Sequence, residues 1–144
     1  MIAIGCDHGG YELKLAVESY LNDRKVEFID LGCDGEKVDY PDIAVEVCAK
    51  VTNGECEKGI LLCGTGIGMS MCANKIAGIR AAAVSDTFSA KYTRLHNDAN
   101  VLCLGGRVIG VGLAAEIVRE FLDNEFEGGR HIARLEKMKN LEGK

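Results

Sequence analysis

The chain has 144 residues, a hydrophobic fraction of 47% and a formal net charge of −5. This length fits one domain with one core, and the hydrophobic fraction excludes a disordered chain. The negative charge disfavours nucleic acid or an acidic membrane as the main partner, and no apolar run is long enough to span a bilayer.

Short apolar runs alternate with amphipathic stretches five times along the chain. The predicted strands are Met1–Gly5, Val26–Leu31, Gly59–Leu62, Ile79–Val84 and Val101–Leu104. The predicted helices are Tyr11–Arg24, Pro41–Thr52, Ile67–Ile76, the residues from Asp86 to His96, Leu113–Leu122 and a basic helix at about 130–140. This alternation predicts a single α/β domain over residues 1–144, with a five-stranded parallel sheet and helices on both faces. The last helix has too few partners in this plan, so we expect it to pack on a second subunit.

Seven cysteines occur in the chain, at positions 6, 33, 48, 56, 63, 72 and 103. Their number is odd, and neither a Cys-x-x-Cys pair nor a zinc-type Cys/His spacing is present. We therefore expect no disulfide framework and no metal site, with most thiols buried as small apolar groups. A reducing cytoplasm is the expected location, and Met1–Gly10 does not resemble a signal peptide.

The stretch Lys58–Asn74 combines a buried strand, a cysteine and a glycine loop. Cys63 stands where the apolar strand should end, and glycine occupies every second position from Gly64 to Gly68. Ligands of open α/β sheets bind outside the carboxyl ends of the strands. A thiol at such an end, followed by unhindered backbone amides, can hold an anion beside a nucleophile or base. A tight strand-to-helix turn with closely packed glycines is the alternative.

Polar side chains follow four of the five predicted strands. They are Asp7 and His8 after the first strand, Cys63 and Thr65 after the third, Asp86 after the fourth and Arg107 after the fifth. A parallel sheet places all these strand ends along one edge. There a cysteine can act as a base, and amides of the glycine loop can stabilise an oxyanion. Asp7 and Asp86 can instead be helix N-caps, and His8 an ordinary residue at a helix start.

Two further sets of polar residues each allow either a structural or a functional interpretation. His96–Asp98 can simply mark a helix C-terminus. Arg130 and Arg134 share one helix face with Cβ atoms about 5–6 Å apart, which suits a phosphate but also a solvated basic tail.

A dinucleotide site is disfavoured. The pattern begins at Gly64-x-Gly66, but the third glycine of G-x-G-x-x-G falls at Met69, and no Walker pattern occurs.

Six segments in one order make the chain resemble the B-type ribose-5-phosphate isomerases, a family that includes galactose-6-phosphate isomerase subunits. They are GCDHGG at 5–10, DYPDIA at 39–44, GILLCGTGIG at 59–68, ANKIAGIRA at 73–81, HNDANVLCLGGRV at 96–108 and FEGGRHIAR at 126–134. The resemblance implies a Rossmann-like three-layer α/β/α sandwich. It also implies a homodimer or dimer of dimers, with active sites built from both subunits. The implied reaction interconverts ribose 5-phosphate and ribulose 5-phosphate through an enediol or enediolate, without metal or cofactor.

The resemblance also implies catalytic roles. Cys63 would be the base that moves a proton between C1 and C2, and His96 would assist opening of the furanose ring. The developing oxyanion would be held by the Thr65 hydroxyl and by the amides of Gly64, Thr65, Gly66, Ile67 and Gly68. In one branch of the family the base is a glutamate at the position of Met69, and a glycine stands at the position of Cys63. This chain has Cys63 and Met69, so it resembles the branch with a cysteine base.

Substrate-binding roles follow from the same resemblance. Asp7 would contact sugar hydroxyls, and Asn97 would contact the substrate beside His96. The phosphate would be held by His8, Arg107, Arg130 and Arg134.

Three other functions remain open at this stage. An isomerase of a six-carbon phosphosugar, such as allose 6-phosphate or galactose 6-phosphate, differs only in pocket size. A non-catalytic phosphosugar- or nucleotide-binding module could use the same fold. A thiol redox protein is disfavoured, because no Cys-x-x-Cys occurs and Cys63 has no obvious resolving partner.

Overall fold

The computed structural model describes residues 1–144 as five strands and six helices. The strands are β1 (Ile2–Cys6), β2 (Phe28–Asp30), β3 (Lys58–Cys63), β4 (Ala81–Ala83) and β5 (Val101–Gly105). The helices are α1 (Tyr11–Asp23), α2 (Tyr40–Thr52), α3 (Ile67–Ala73), α4 (Thr87–Asn97), α5 (Val111–Asp123) and α6 (His131–Lys139). None of the six helices is both long and apolar enough to cross a membrane.

All strand pairs are parallel, in the order β2-β1-β3-β5-β4. Successive residues of β3 point to opposite faces of this sheet. Ile60 and Leu62 pack with α1, α4 and α5, whereas Leu61 and Cys63 pack with α2 and α3. Two apolar cores therefore lie on the two sides of the sheet, which confirms the predicted α/β/α sandwich.

The predicted limits of the edge strands were too wide. The apolar pattern of Ile79–Val84 extends beyond β4, because Ile79 already belongs to a turn in which its N–H donates to the carbonyl of Ile76. Conversely, β3 is longer than predicted and includes Cys63, which pairs with Gly105 of β5. An edge strand has a partner on one side only, so its apolar residues need not all join the ladder.

A buried lysine ties α1 to the end of β2. Lys14 is fully buried, and its Nζ donates to Asp30 Oδ1 at 2.7 Å and to the carbonyl of Cys33 at 2.9 Å. Glu18, one turn further along α1, brings its Oε1 to 3.9 Å from the same Nζ. Burial, together with the neighbouring Asp30 carboxyl, raises the pKa of Glu18 to about 7.

We expect Glu18→Gln to raise the free energy of unfolding above pH 7 and to change that free energy little near pH 4.5. The pKa of Glu18 rises from 4.5 to about 7 on folding, so the folded state binds the proton more tightly. That stabilisation is fully present below pH 4.5 and is lost as the pH rises through 7, whereas glutamine stays neutral throughout. Thermal unfolding between pH 4.5 and 8 measures the effect, with the exposed Glu12→Gln on the same helix as control. Equal pH dependence of wild type and Glu18→Gln would contradict the prediction.

Candidate active site

The loops that follow β3 and β5 are bonded to each other at the carboxyl edge of the sheet. The N–H of Gly106 donates to the carbonyl of Cys63 at 2.8 Å, and that of Arg107 to the carbonyl of Gly64 at 3.0 Å. The loop after β1 reaches the same place, because a methyl group built on Gly9 would lie 3.0 Å from the Gly64 nitrogen. Three strand ends therefore converge on the residues Gly64–Gly68, called here the glycine loop.

Cys63 is held at the entrance of the glycine loop. It is the last residue of β3 and is 5% exposed, and its Sγ accepts a hydrogen bond from the Gly66 N–H at 3.1 Å. Gly66 has φ of +80°, and a methyl group there would lie 2.9 Å from the backbone of Leu104. Only glycine fits this backbone and this contact, so the sequence pattern directly positions the donor on sulfur.

The glycine loop presents free amides beside this thiol. The Thr65 hydroxyl accepts from the Ile67 N–H at 3.2 Å, where α3 begins. The N–H groups of Gly64, Thr65 and Gly68 donate to no protein acceptor. Such donors, fixed before the ligand arrives, are what stabilises a developing oxyanion.

Asp7 belongs to this edge and does not cap a helix. Its Oδ1 accepts from the Gly9 N–H at 2.8 Å, and the N-cap of α1 is Gly10. The alternative in which Asp7 is an N-cap was therefore wrong, because the turn after β1 is longer than the pattern suggested. His8 lies beside Asp7 in the same turn and is exposed.

Asp86, by contrast, has a purely structural role. Its side chain accepts from the Ser89 N–H at 2.7 Å and caps α4, as its alternative interpretation predicted.

Arg107 brings positive charge to the glycine loop. A methyl group built on Gly64 would lie 3.2 Å from the Arg107 Nη1, so the guanidinium covers the loop. Its side chain is exposed and free to turn toward a ligand. We call Asp7, His8, Cys63, the glycine loop and Arg107 the carboxyl-edge group.

The remaining predicted site residues lie at the opposite edge of the sheet. His96 and Asn97 end α4, just before β5 begins, and Arg80 Nε donates to the Asn97 carbonyl at 3.1 Å. Cys63, in contrast, pairs with the last residue of β5. The two edges are separated by the length of β3, six residues or about 17 Å.

Arg130 and Arg134 accompany His96 at this amino edge. Arg130 is the N-cap of α6 and Arg134 follows one turn later, both exposed. α6 starts against α4, since the ring of its first residue, His131, stacks on that of His96 with centroids 4.2 Å apart. His96, Asn97, Arg130 and Arg134 are called here the amino-edge group.

Sequence reasoning missed two residues beside these groups. His131 is 6% exposed, and burial, followed by the nearby His96 and Arg130, lowers the pKa of His131. Tyr40 lies against the glycine loop, because a methyl group on Gly68 would come within 2.6 Å of its ring. Both residues stand inside segments already singled out, FEGGRHIAR and DYPDIA, so a closer reading of those segments could have found them.

Comparison with known proteins places the chain in one family. Residues 2–138 match the family model described as Ribose/Galactose Isomerase. Ribose-5-phosphate isomerase B of Escherichia coli is 49% identical, over 98% of this chain and 95% of that protein. D-erythrulose-4-phosphate isomerase of Pectobacterium atrosepticum is 46% identical, over 95% of this chain and 91% of that protein.

Solved structures agree with this match. Ribose-5-phosphate isomerase B of Clostridium thermocellum superposes with a TM-score of 0.95 at 49% identity, covering 97% of this chain and 95% of that one. Ribose-5-phosphate isomerase B of Mycoplasma genitalium, solved with bound ribulose-5-phosphate, gives a TM-score of 0.91 at 41% identity, covering 96% and 93%.

Proposed function

The chain belongs to the ribose/galactose isomerase family, and we propose on this basis that it interconverts ribose 5-phosphate and ribulose 5-phosphate. The observation that carries the proposal is the Cys63 thiol beside the unpaired amides of the glycine loop. An aldose–ketose isomerisation needs one base and donors for an oxyanion, and this edge supplies both.

In the proposed mechanism Cys63, as thiolate, removes the proton from C2 of the open-chain aldose. The electron pair of that C–H bond forms the C1–C2 double bond, and negative charge moves to O1 as an enediolate. The Thr65 hydroxyl and the free N–H groups of Gly64 and Gly68 stabilise that charge. The Cys63 thiol then returns its proton to C1 while the hydroxyl proton of O2 passes to O1, which leaves the ketone at C2. C2 is oxidised and C1 is reduced within the same sugar, so the reaction needs no external oxidant or reductant, and we propose that no cofactor takes part.

We propose that a second copy of the chain completes the site. The carboxyl-edge and amino-edge groups lie about 17 Å apart in one chain, too far to contact one five-carbon sugar phosphate together. Two copies related by a two-fold axis can place the amino edge of each against the carboxyl edge of the other. In this arrangement His96 assists ring opening, Asn97 contacts the sugar, and the two arginines of α6 hold the phosphate with His8 and Arg107.

Exposed apolar side chains support such an assembly. Ile67 and Met71 on α3 are 51% and 63% exposed, and Ile132 on α6 is 50% exposed. These residues lie next to the two groups that the second copy would join, and burying them would contribute to association. A homodimer, or a dimer of such dimers, is the proposed assembly.

We place the enzyme in the cytoplasm. All seven cysteines are free thiols, and a reducing compartment keeps them so. Cys72 is the one thiol that is not buried.

We expect Arg134→Ala to raise KM for ribose 5-phosphate roughly ten- to hundredfold, because hydrogen bonds to a charged group contribute about 1.5–3 kcal/mol. KM for unphosphorylated ribose should change far less. Steady-state kinetics on both sugars measures the difference, with Lys137→Ala, another exposed cation of α6, as the matched control. Equal effects of Arg134→Ala on both sugars would remove Arg134 from the phosphate site.

The substrate proposal is tested by adding ribose 5-phosphate to purified protein in EDTA and following ribulose 5-phosphate. A panel of four-, five- and six-carbon sugar phosphates is measured in parallel. Because a relative of 46% identity is a D-erythrulose-4-phosphate isomerase, identity alone does not rank these sugars. The highest kcat/KM is expected for the pentose, and a higher value for a four- or six-carbon sugar would overturn the proposed substrate.

A further inference from the structure

Two imidazoles and a carboxylate converge at the amino edge of the sheet. The Nε2 atoms of His96 and His131 lie 4.0 Å and 3.8 Å from the same oxygen, Oε2 of Glu127. All three atoms lie within 4.8 Å of one another. These separations are too long for direct hydrogen bonds, so the three groups face a common gap.

The Nε2 atom of His131 is left without a hydrogen-bond partner. His131 is 6% exposed, and its Nε2 is one of two buried side-chain polar atoms in the chain with no hydrogen bond. A buried polar atom without a partner is destabilising by about 1–3 kcal/mol, and such atoms are rare in folded proteins. This atom lies 3.8 Å from Glu127 Oε2, which leaves room for a ligand shared by the two groups.

The backbone holds the three groups in place. The N–H of Glu127 donates to the carbonyl of Leu95, one residue before His96, at 3.0 Å. Gly128 and Gly129 then both adopt positive φ, +73° and +58°, which turns the chain back so that α6 starts on α4. The His96 and His131 rings stack with an angle of 17° between their planes.

We propose that His96, Glu127 and His131 bind one divalent transition-metal ion of the Zn²⁺ type. Neutral imidazole nitrogen and carboxylate oxygen are ligands that such ions accept, at about 2.0–2.2 Å. Two ligands at that distance around a tetrahedral ion lie about 3.4 Å apart, so the observed nitrogen–oxygen gaps close by roughly half an ångström. The side chains of His96 and Glu127 are 33% and 46% exposed, which leaves them free to rotate and opens a path for the ion.

Nearby charge limits the affinity of this site. Arg130 and Arg134 flank His131 on α6 and oppose a cation, whereas Glu127 supplies the single negative charge. Binding in the micromolar range is therefore expected. An ion held there occupies Nε2 of His96, so it inhibits isomerisation; this consequence rests on the function proposed above, whereas binding itself does not.

Calorimetric titration of the purified protein with Zn²⁺ tests the proposal, and Co²⁺ absorption reports the ligands. One ion per chain is expected, and His131→Ala and Glu127→Gln should each weaken binding at least about tenfold. Glu125→Gln, which changes an exposed carboxylate two residues earlier in the same segment, is the matched control and should keep the wild-type Kd. Glu127 is half-exposed, so its variant should fold normally even where His131→Ala does not.

Unchanged affinity in Glu127→Gln would overturn the site. Loss of affinity in Glu125→Gln, or strong near-ultraviolet sulfur bands with Co²⁺, would overturn it as well. Zn²⁺ inhibition should follow the binding curve and weaken in Glu127→Gln. Binding that depends on Glu127 but leaves turnover unchanged would support the metal site and remove the role proposed for His96.

Discussion

Cys63→Ala is expected to lose isomerase turnover by a factor of about 10²–10⁴ while it keeps its affinity for ribose 5-phosphate, since a positioned base contributes that much to rate. In the proposed mechanism the thiol acts on the moving proton, whereas other residues hold the phosphate and the hydroxyl groups. Cys63 packs with α2 and α3, and its Sγ accepts from the Gly66 N–H at 3.1 Å. Alanine therefore keeps the backbone and Cβ and removes the sulfur together with that one hydrogen bond. Single-turnover kinetics and equilibrium binding measure the two effects separately.

Cys72→Ala is the matched control for Cys63→Ala. Cys72 lies on α3 and is the one cysteine that is not buried. If the loss of any accessible thiol reduced turnover, the Cys72→Ala variant would show that loss most clearly. Its variant should keep wild-type turnover. A Cys63→Ala enzyme with more than a tenth of the wild-type kcat would show that another group is the base.

The central strands could be predicted from the sequence because burial on both faces leaves an unbroken apolar run. Gly59–Leu62 and Val101–Leu104 are of this kind, and they lie in β3 and β5 in the middle of the sheet. The edge strands β2 and β4 pair on one side only, so their limits depend on backbone contacts that no local pattern encodes.

The carboxyl-edge group could be predicted because a parallel sheet brings all strand ends to one side. The position of His96 and Asn97 in the amino-edge group follows from the same rule, since a helix that connects parallel strands must end near the start of the next strand. His96 lies at the end of α4, just before β5 begins. The sequence alone could therefore have predicted that His96 lies far from Cys63.

The cluster of His96, Glu127 and His131 was not predictable from the sequence. The three residues are brought together by two left-handed glycines and by a backbone bond from Glu127 to α4. Neither the spacing nor the residue types of this segment indicate that a buried nitrogen is left unpaired. Such a feature arises only when side-chain packing is complete.

Mixing two inactive variants should restore activity if two copies share each active site. Cys63→Ala removes the proposed base at the carboxyl edge, and His96→Asn removes the proposed ring-opening group at the amino edge. In a mixed dimer one site combines both defects and the other combines both intact edges. Random assembly makes half of the dimers mixed, so the mixture should reach about a quarter of wild-type activity.

The matched control mixes Cys63→Ala with Thr65→Ala, two variants of the same edge. Every site in that mixed dimer carries one defect at the carboxyl edge, so activity should not exceed the mean of the separate proteins. Co-expression with two different tags, followed by sequential purification, isolates the mixed dimers and confirms that they form. If the isolated mixed dimers of Cys63→Ala and His96→Asn have no activity, the carboxyl edge of one copy does not contact the amino edge of the other. Because the two edges lie about 17 Å apart within one chain, His96 would then have to act outside the isomerisation site.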